Sequence, residues 1–220
     1  RSEYERTHLD IVHYDIKTDK LGLEWNGFKA VFLSDLHDNS FGMENEELLA
    51  AIEKEQPDIV LIGGDMLVVK EWAAPHFDML ANLYKKLVKR YPVYYAFGNH
   101  EQRMKEEPLT YPGWWQSYWK VLKDSGMHVL VNKSEEIIKN GTAMRECYRK
   151  GRIPSLSAGY IDKKIGKASD KNFELLLAHT PTFAKTYADW GADLVLSGHF
   201  HGGTIRIPGL GGVMTPQLQF

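Results

Sequence analysis

Side chains that can bind metal ions recur at five points in this sequence, each directly after a short apolar run. They are Asp35 and His37, Asp65, Asn99, His179, and the pair His199 and His201. Carboxylate, imidazole and carboxamide donors offered together suit borderline divalent cations such as Mn, Fe, Co or Zn, whereas Mg or Ca favours oxygen ligands alone. The supply is sufficient for two ions. The residue types therefore predict a metal-dependent hydrolase.

The apolar runs before these donors have the composition of buried β-strands. They occupy residues 29–34, 58–62, 92–97, 173–178 and 193–197. Helical periodicity at 44–55 and 72–90 separates the first three runs. Each donor thus follows the carboxyl end of a strand, where open α/β sheets place their ligands. Periodicity alone predicts an alternating α/β fold.

In their order, these blocks resemble the five motifs of the calcineurin-like metallophosphoesterases. The blocks are Asp35-x-His37, Gly63-Gly64-Asp65, Gly98-Asn99-His100-Glu101, His179 and Gly198-His199-x-His201. The likeness extends from residue 29 to about residue 216. Residues 34–37 and 202–209 are similar to the bacterial membrane-associated phosphodiesterase branch of the YkuE and YaeI type. Each block is a weak signal alone, but their joint order is specific.

The resemblance implies a fold and a set of ligands. The fold is a four-layer αββα sandwich, in which two mixed β-sheets pack face to face and helices cover both outer sides. Two divalent metal ions, of Mn, Fe, Zn or Co, each have three ligands of their own and share one carboxylate. The first set is Asp35, His37 and His201, the second is Asn99, His179 and His199, and the shared carboxylate is Asp65.

A shared carboxylate agrees with simple electrostatics. Two cations held roughly 3.5–4 Å apart need an anion between them, and Asp65 can span both where a neutral imidazole cannot. The nucleophile implied by the resemblance is a hydroxide that bridges the ions and attacks phosphorus in line. His100, next to the ligand Asn99, is the candidate catalytic residue, because an imidazole can protonate the leaving oxygen or stabilise the transition state.

Each block also has a purely structural interpretation. Asp35 and Asp65 could end strands or cap helices, and Asn99 after a glycine could occupy a left-handed turn. Thr180 and Pro181 predict a helix start. Two imidazoles placed so close together in a glycine-rich turn rarely serve a core, and this favours the metal-site interpretation of the whole set.

Polar residues beside the blocks receive weaker assignments. Glu101 and Arg103 could contact substrate or orient His100, but a solvated loop accounts for them better. Asp38 and Asn39 could orient ligand imidazoles, although loop polarity explains them equally well. No role is assigned to the other histidines, His8, His13, His76 and His128.

Composition limits the number of domains and the range of partners. With 220 residues, of which 43% are hydrophobic and 25% charged, the chain can bury one core, so we expect a single domain spanning residues 1–220. A formal net charge of −2 disfavours a nucleic-acid binder, although metal ions would themselves attract phosphate. The single cysteine, Cys147, excludes an intrachain disulfide. No protein partner is predicted.

The ends of the chain carry expectations about length and location. Arg1 is not a natural initiator, so we expect further residues upstream of it. We expect these residues to include a membrane anchor that precedes a strand at 7–16; without such an anchor the protein would be soluble. We also expect further strands after Phe220. Residues 140–172, rich in Gly, Lys and Ser, are predicted to be a variable loop or cap.

An aromatic stretch at residues 111–119 has two interpretations. Helical spacing places Trp115 beside Trp119 and Trp114 beside Tyr118. These rings could form the core-facing side of a helix. Alternatively, Trp114, Trp115 and Trp119 could rest on a membrane surface or admit lipid chains to the site, since Trp and Tyr favour interfaces.

Three functions fit these residues. The first is a phosphodiesterase or pyrophosphatase that uses two metal ions on a small-molecule, lipid or cell-envelope phosphoester. The second is a nuclease or protein phosphatase with the same metal centre. The third is a non-catalytic scaffold, which would be expected to have lost ligands or His100, yet the sequence retains them all. We therefore predict an enzyme of the first kind.

Overall fold

Strands and helices alternate along most of the chain. The computed structural model describes residues 7–137, 142–146, 156–201, 205–207 and 211–214. Its strands are β1 (Ala30–Leu33), β2 (Ile59–Ile62), β3 (Val93–Tyr95), β4 (His128–Val129), β5 (Ser134–Ile137), β6 (Thr142–Glu146), β7 (Glu174–Leu177), β8 (Leu194–Leu196), β9 (Ile205–Ile207) and β10 (Gly211–Met214). Its α-helices are α1 (Glu46–Glu55), α2 (Asp78–Val88), α3 (Asn99–Glu106), α4 (Trp114–Ser125), α5 (Ala158–Ile165) and α6 (Ala184–Trp190). Short 3-10 helices lie at Leu23–Trp25, Met43–Asn45 and Pro181–Phe183.

Two four-stranded sheets contain most of the described strands. In the first sheet, β1, β2, β3 and β4 lie side by side in sequence order and are all parallel. In the second sheet, β6, β7 and β8 are parallel, and β5 pairs antiparallel with β6 at the edge. β9 and β10 form a separate antiparallel pair. The predicted α/β class is confirmed, and the first sheet is wholly parallel because helices connect its strands.

Side chains of β2 alternate between two buried clusters on opposite faces of the first sheet. Ile59 and Leu61 belong to one cluster with Leu175 of β7 in the second sheet. Val60 and Ile62 belong to another cluster, which includes buried residues of α1, α2 and α4. Successive residues of a strand point to opposite faces, so a strand buried on both sides must be apolar throughout. All four residues of β2 are accordingly buried.

A third cluster lies between the second sheet and its helices. Leu176 of β7 packs there with Ile161 and Ile165 of α5 and with Trp190 of α6. Helix α5 and strand β6 both fall within residues 140–172, which we predicted to be a variable loop or cap. The apolar pair at 161 and 165 has helical spacing, and it is sufficient to bury α5 against the sheet.

Two other predicted elements differ in the structure. The helix predicted at 72–90 begins at Asp78. Pro75 accounts for the absence of helix at residues 72–74, because proline disfavours helical conformation in the preceding residue and cannot lie inside a helix. The strand predicted at 7–16 does not pair with any strand of the described ranges. An extended segment becomes a strand only when a neighbour satisfies its backbone hydrogen bonds.

The aromatic stretch forms α4 and packs on the core. Trp115 and Trp119 stack with ring centroids 5.5 Å apart, and Trp115 meets the edge of Phe97 at 5.4 Å. Tyr118 is fully buried, whereas Trp114 is half-buried. These contacts support the core-facing interpretation, and membrane contact stays a prediction. Among the described helices, none combines the length and apolar composition needed to cross a bilayer.

Candidate metal centre

The predicted ligands follow the carboxyl ends of strands from both sheets. Loops after β1 and β2 carry Asp35 and Asp65, Asn99 is the first residue of α3 after β3, and loops after β7 and β8 carry His179 and His199. Contacts of 3.9 Å or less connect all the predicted site residues, namely Asp35, His37, Asp65, Asn99, His100, His179, His199 and His201. Residues far apart in sequence thus meet because parallel strands end at a common edge.

Several of these residues have left-handed backbone conformations that side chains other than glycine seldom adopt. The φ angles are 56° at Asp35, 54° at His37, 52° at Asp65, 70° at His199 and 51° at His201. This conformation costs roughly 1–2 kcal/mol per residue, less for aspartate. Strain of this kind persists where surrounding contacts enforce it, and it clusters at functional sites. Its concentration here supports a functional role for these loops.

Asp35, His37 and His201 form the first group of potential ligands. Oδ1 of Asp35 lies 3.6 Å from Nε2 of His37 and 3.6 Å from Nε2 of His201, and the two Nε2 atoms are 3.1 Å apart. The Ser34 hydroxyl donates to Oδ2 of Asp35 at 2.6 Å. The N–H of His199 lies 3.0 Å from both carboxylate oxygens. The Ser34 hydroxyl and the His199 N–H therefore hold the Asp35 carboxylate in place, while its Oδ1 faces the imidazoles of His37 and His201.

Asp65, Asn99, His179 and His199 form the second group. Nε2 of His179 is 3.1 Å from Oδ2 of Asp65 and 3.9 Å from Oδ1 of Asp35. Nδ1 of His199 is 2.7 Å from Oδ1 of Asn99. These atoms bring carboxylate, imidazole and carboxamide donors together, as the sequence predicts.

The Asp65 carboxylate is close to members of both groups. One of its oxygens lies within 4.8 Å of ring nitrogens of His37 and His100, and an oxygen also lies within 4.8 Å of ring nitrogens of His179 and His199. Its side chain keeps 2% of its surface exposed. One carboxylate is thus within reach of ligands from both groups.

His179 has an arrangement typical of a metal-binding imidazole. Its Nδ1 lies 2.8 Å from the carbonyl oxygen of Gly63, which can only accept, so Nδ1 carries a proton. In the neutral ring, Nε2 then presents a lone pair. That buried atom finds no hydrogen-bond partner in the part of the chain that the structure describes, and it faces the Asp65 carboxylate. Two electron-rich atoms so close require a proton or a cation between them.

The carboxylates and imidazoles shift one another's pKa. Burial would raise the pKa of Asp35, but its contact with His37 and the charge of His179 hold it well below its ordinary value. Burial is likewise outweighed at Asp65, whose pKa is lowered by its contact with His179 and by the charge of that ring. Burial would lower the pKa of His179, but contact with Asp65 and the charges of both aspartates raise it to about 9. A bound cation would take the place of that proton.

His100 touches the site but is held differently from the ligands. Its backbone N–H donates to Oδ1 of Asp65 at 2.7 Å, and its Nδ1 accepts from the N–H of Val69 at 3.1 Å. Because a backbone N–H can only donate, Nδ1 lacks a proton and Nε2 carries the hydrogen of the neutral ring. Burial lowers the pKa of His100 to about 4. The charge of His37 also lowers this pKa, whereas the charge of Asp65 opposes the shift. The Nε2–H of His100 is therefore a hydrogen-bond donor.

Glycines let the loops of the site approach one another closely. A Cβ on Gly64 would lie 2.0 Å from the backbone nitrogen of Gly98, and a Cβ on Gly98 would lie 2.2 Å from Oδ1 of Asp65. A Cβ on Gly198 would lie 2.0 Å from Oδ2 of Asp35. Real Cβ atoms essentially never come within 3.0 Å of such neighbours. Gly98 and Gly198 are thus required by packing against the two aspartates, and Gly64 is required by its close approach to Gly98.

Gly98→Ala should displace Asp65 and lower both the melting temperature and the metal content of the protein. The added methyl group would collide with the Asp65 carboxylate and with its backbone nitrogen, 2.5 Å away, so neither can yield cheaply. Gly159→Ala in α5 is the matched control, because its Cβ meets nothing within 4 Å. The control should be neutral or more stable by up to about 1 kcal/mol. Equal metal content in both variants would contradict the close approach.

Glu101 is the residue that the sequence interpretation misplaced. We predicted a solvated loop, but its exposed fraction is 0%. Its Oε2 accepts from the backbone N–H groups of Asp65 and Gly98, and its Oε1 accepts from the N–H of Met66 and the Tyr95 hydroxyl. The available signal was its position three residues after Gly98, which is the spacing of a capping box at a helix start.

The donor set fits divalent metal ions. Two carboxylates, several imidazoles and a carboxamide converge, and the lone pair of His179 is buried against Asp65. This mixture of nitrogen and oxygen donors suits Mn, Fe, Co or Zn.

Comparison with known proteins identifies the class. The model of the calcineurin-like phosphoesterase family matches residues 28–203, a range that contains every block described above. The chain belongs to this family of metal-dependent phosphoester hydrolases. The resemblance drawn from the sequence is confirmed.

Relatives within the family include bacterial phosphoesterases. Phosphodiesterase YaeI of Escherichia coli is 31% identical over 193 residues, which are 86% of this chain and 66% of that protein. YkuE of Bacillus subtilis, called an uncharacterized metallophosphoesterase, is 24% identical over 220 residues, 98% of this chain and 73% of YkuE. YkoQ of the same species is 29% identical over 180 residues, 80% of this chain and 62% of YkoQ. The predicted branch is confirmed, and the chain spans about two thirds of the length of these relatives.

Proposed function

We propose that the protein is a dinuclear metal-dependent phosphoesterase that hydrolyses small-molecule phosphodiesters. One observation carries the proposal, namely that the Asp65 carboxylate is within 4.8 Å of ring nitrogens from both groups of potential ligands. A shared carboxylate is what two cations need when they are held roughly 3.5–4 Å apart. Family membership supports the reaction class, and the name of the relative YaeI supports the diester.

The proposed ligand sets follow the contacts around Asp65. Three side chains would hold the first ion, three others would hold the second, and Asp65 would bind both. The sets are Asp35, His37 and His201, and Asn99, His179 and His199. The bond from His179 Nδ1 to the Gly63 carbonyl supports this assignment, because such bonds orient metal-binding imidazoles.

His100 is proposed as a catalytic residue and not as a ligand. Two bound ions would supply Lewis acidity at the phosphoryl oxygens and lower the pKa of a coordinated water. The Val69 N–H occupies Nδ1 of His100, so the hydrogen on Nε2 is available to a phosphoryl or leaving oxygen. A fixed donor aimed at developing negative charge lowers the barrier. The sequence left two roles open for His100, namely protonation of the leaving oxygen and stabilisation of the transition state. A neutral ring with its hydrogen on Nε2 favours stabilisation of the transition state by hydrogen bonding.

The exposure of the ligands indicates the side from which substrate enters. The side chains of His37 and His201 keep 19% and 23% of their surface exposed, whereas that of His179 keeps 8%. Asn99 and His199 of the second group are also half-buried, so substrate would approach over the partly exposed ligands of both groups, away from His179. The formal net charge of −2 supplies no basic field for a nucleic acid. A lipid or cell-envelope diester is the finer proposal that a substrate panel must test.

We further propose that one domain stacks its layers in the order helix, sheet, sheet, helix. Three buried clusters support this order, because one lies between the two sheets and each of the others lies between one sheet and its helices. The metal centre would then lie at the end where strands of both sheets finish.

The function is tested by stripping the purified protein with a chelator and reconstituting it with Mn, Fe, Co or Zn. Each sample is assayed on bis-p-nitrophenyl phosphate, a phospholipid diester, an oligonucleotide, a phosphopeptide and p-nitrophenyl phosphate. We expect chelation to abolish diester hydrolysis and metal to restore it. Preference for the oligonucleotide or the phosphopeptide would favour the nuclease or protein phosphatase. A protein that binds two ions but hydrolyses none of these esters would contradict the enzymatic proposal.

A further inference from the structure

Glu101, in the first turn of α3, joins the loop that carries Asp65 to the turn at Gly98 that precedes Asn99 and His100. Its oxygens accept backbone N–H groups of Asp65, Met66 and Gly98 at 3.0, 3.1 and 2.9 Å. Two of these groups follow β2, whereas the third lies between β3 and α3. A single buried carboxylate therefore ties loops from two adjacent strands together.

A fourth donor to Glu101 begins a chain of buried tyrosines. The Tyr95 hydroxyl donates to Oε1 of Glu101 at 2.7 Å, so its oxygen must accept from the Tyr118 hydroxyl, also 2.7 Å away. Tyr118 then accepts from Tyr84 at 2.8 Å. All three tyrosines have an exposed fraction of 0%. Each hydroxyl donates to the next group along the chain in the direction of Glu101. The two Glu101 oxygens offer about four lone-pair positions, and four donors occupy them.

The two loops have no room to adjust independently. Gly64 and Gly98 are in backbone contact, and the N–H of His100 donates to Oδ1 of Asp65 at 2.7 Å. A shift in the Glu101 carboxylate would move Asp65 relative to Asn99 and His100. Misplacement of a reacting group by about 1 Å can lower a rate by about 10²-fold.

We propose that Glu101 is a positioning residue that sets the spacing between Asp65 and the Asn99–His100 pair, and that the chain of Tyr95, Tyr118 and Tyr84 orients its carboxylate. The effect on turnover rests on the proposed function, whereas the effect on loop spacing does not. Replacement by glutamine is disruptive although it is isosteric. The amide NH₂ group would face N–H donors for which the described part of the chain offers no other acceptor.

The test compares Glu101→Gln with Glu174→Gln, a second glutamate with an exposed fraction of 0%. Oε1 of Glu174 accepts from the N–H of Ser169 at 2.8 Å, at the opposite end of β7 from His179. In Glu101→Gln we expect Mn²⁺ affinity to fall by about tenfold or more, by analogy with outer contacts of metal ligands. We also expect faster hydrogen exchange at amides 65, 66 and 98, and a lower kcat with KM near the wild-type value. The control should lose stability without these changes.

Tyr118→Phe removes one hydroxyl far from the ligands and keeps the ring. We expect the same changes as in Glu101→Gln but only a few-fold in size, and this variant decides the question if Glu101→Gln does not fold. The positioning role would be overturned if Glu101→Gln had the Mn²⁺ affinity, hydrogen-exchange rates and kcat of the wild type. The role of the tyrosines would be overturned if Tyr118→Phe showed the same wild-type values. If the wild type hydrolyses no ester, the proposed function fails, while Mn²⁺ affinity and metal-free hydrogen exchange still test Glu101.

Discussion

Asp65→Ala should empty both metal sites and abolish phosphodiester hydrolysis. The Asp65 carboxylate lies within 4.8 Å of ring nitrogens of His37 and His179, so its loss would leave two cations without a shared anion. Removal of an outer contact of a metal ligand costs about 10–100-fold in affinity, and removal of a shared ligand should cost more. Elemental analysis after gel filtration would measure the metal retained per chain, and calorimetric titration with Mn²⁺ would measure the affinity.

Asp58→Ala is the matched control for Asp65→Ala. The two aspartates flank β2, and Asp58 accepts the N–H of Lys29 at 2.8 Å at the end remote from the ligands. Its loss should lower the free energy of unfolding by about 1–3 kcal/mol while both ions are retained. If Asp65→Ala also retained two ions per chain, the assignment of Asp65 as the shared ligand would be wrong.

His100→Ala should lower kcat by about 10²- to 10⁴-fold and leave the metal content unchanged. Its Nδ1 is occupied by the Val69 N–H, so the ring contributes a donor at Nε2 and no ligand atom. Steady-state kinetics on bis-p-nitrophenyl phosphate, with metal analysis of the same preparation, would measure both effects. Loss of one ion together with activity would show that His100 is a ligand.

Two amide variants separate the roles open to His100. Glutamine can place an N–H near the position of Nε2, whereas asparagine reaches only the position of Nδ1. If His100 stabilises charge by hydrogen bonding, His100→Gln should retain at least tenfold more activity than His100→Asn. Equal loss in both variants would instead favour proton transfer by the imidazole, because neither amide can perform it.

The order of potential metal ligands after apolar runs predicted which side chains the structure brings together, whereas metal binding by them stays a prediction. Asp35, Asp65, Asn99, His179 and His199 all meet because strand ends in parallel sheets converge, and the strands lie within two residues of their predicted bounds. Local sequence carries this information, since a strand buried on both faces must be continuously apolar.

Burial that depends on distant contacts could not be predicted in the same way. Glu101 is charged and lies in a polar stretch, yet backbone groups of another loop and the Tyr95 hydroxyl enclose it completely. Helix α5 was hidden for a related reason, because its two isoleucines are buried by residues distant in sequence, among them Leu176 of β7 and Trp190 of α6. Periodicity describes one element at a time, whereas these positions are decided by what packs against it.

Anomalous diffraction from crystals of the protein loaded with Mn²⁺ tests the central claim most directly. We expect two anomalous peaks per chain, roughly 3.5–4 Å apart, with the Asp65 carboxylate in contact with both. Asp35, His37 and His201 should surround one peak, and Asn99, His179 and His199 should surround the other. A single peak, or two peaks that share no ligand, would contradict the central claim.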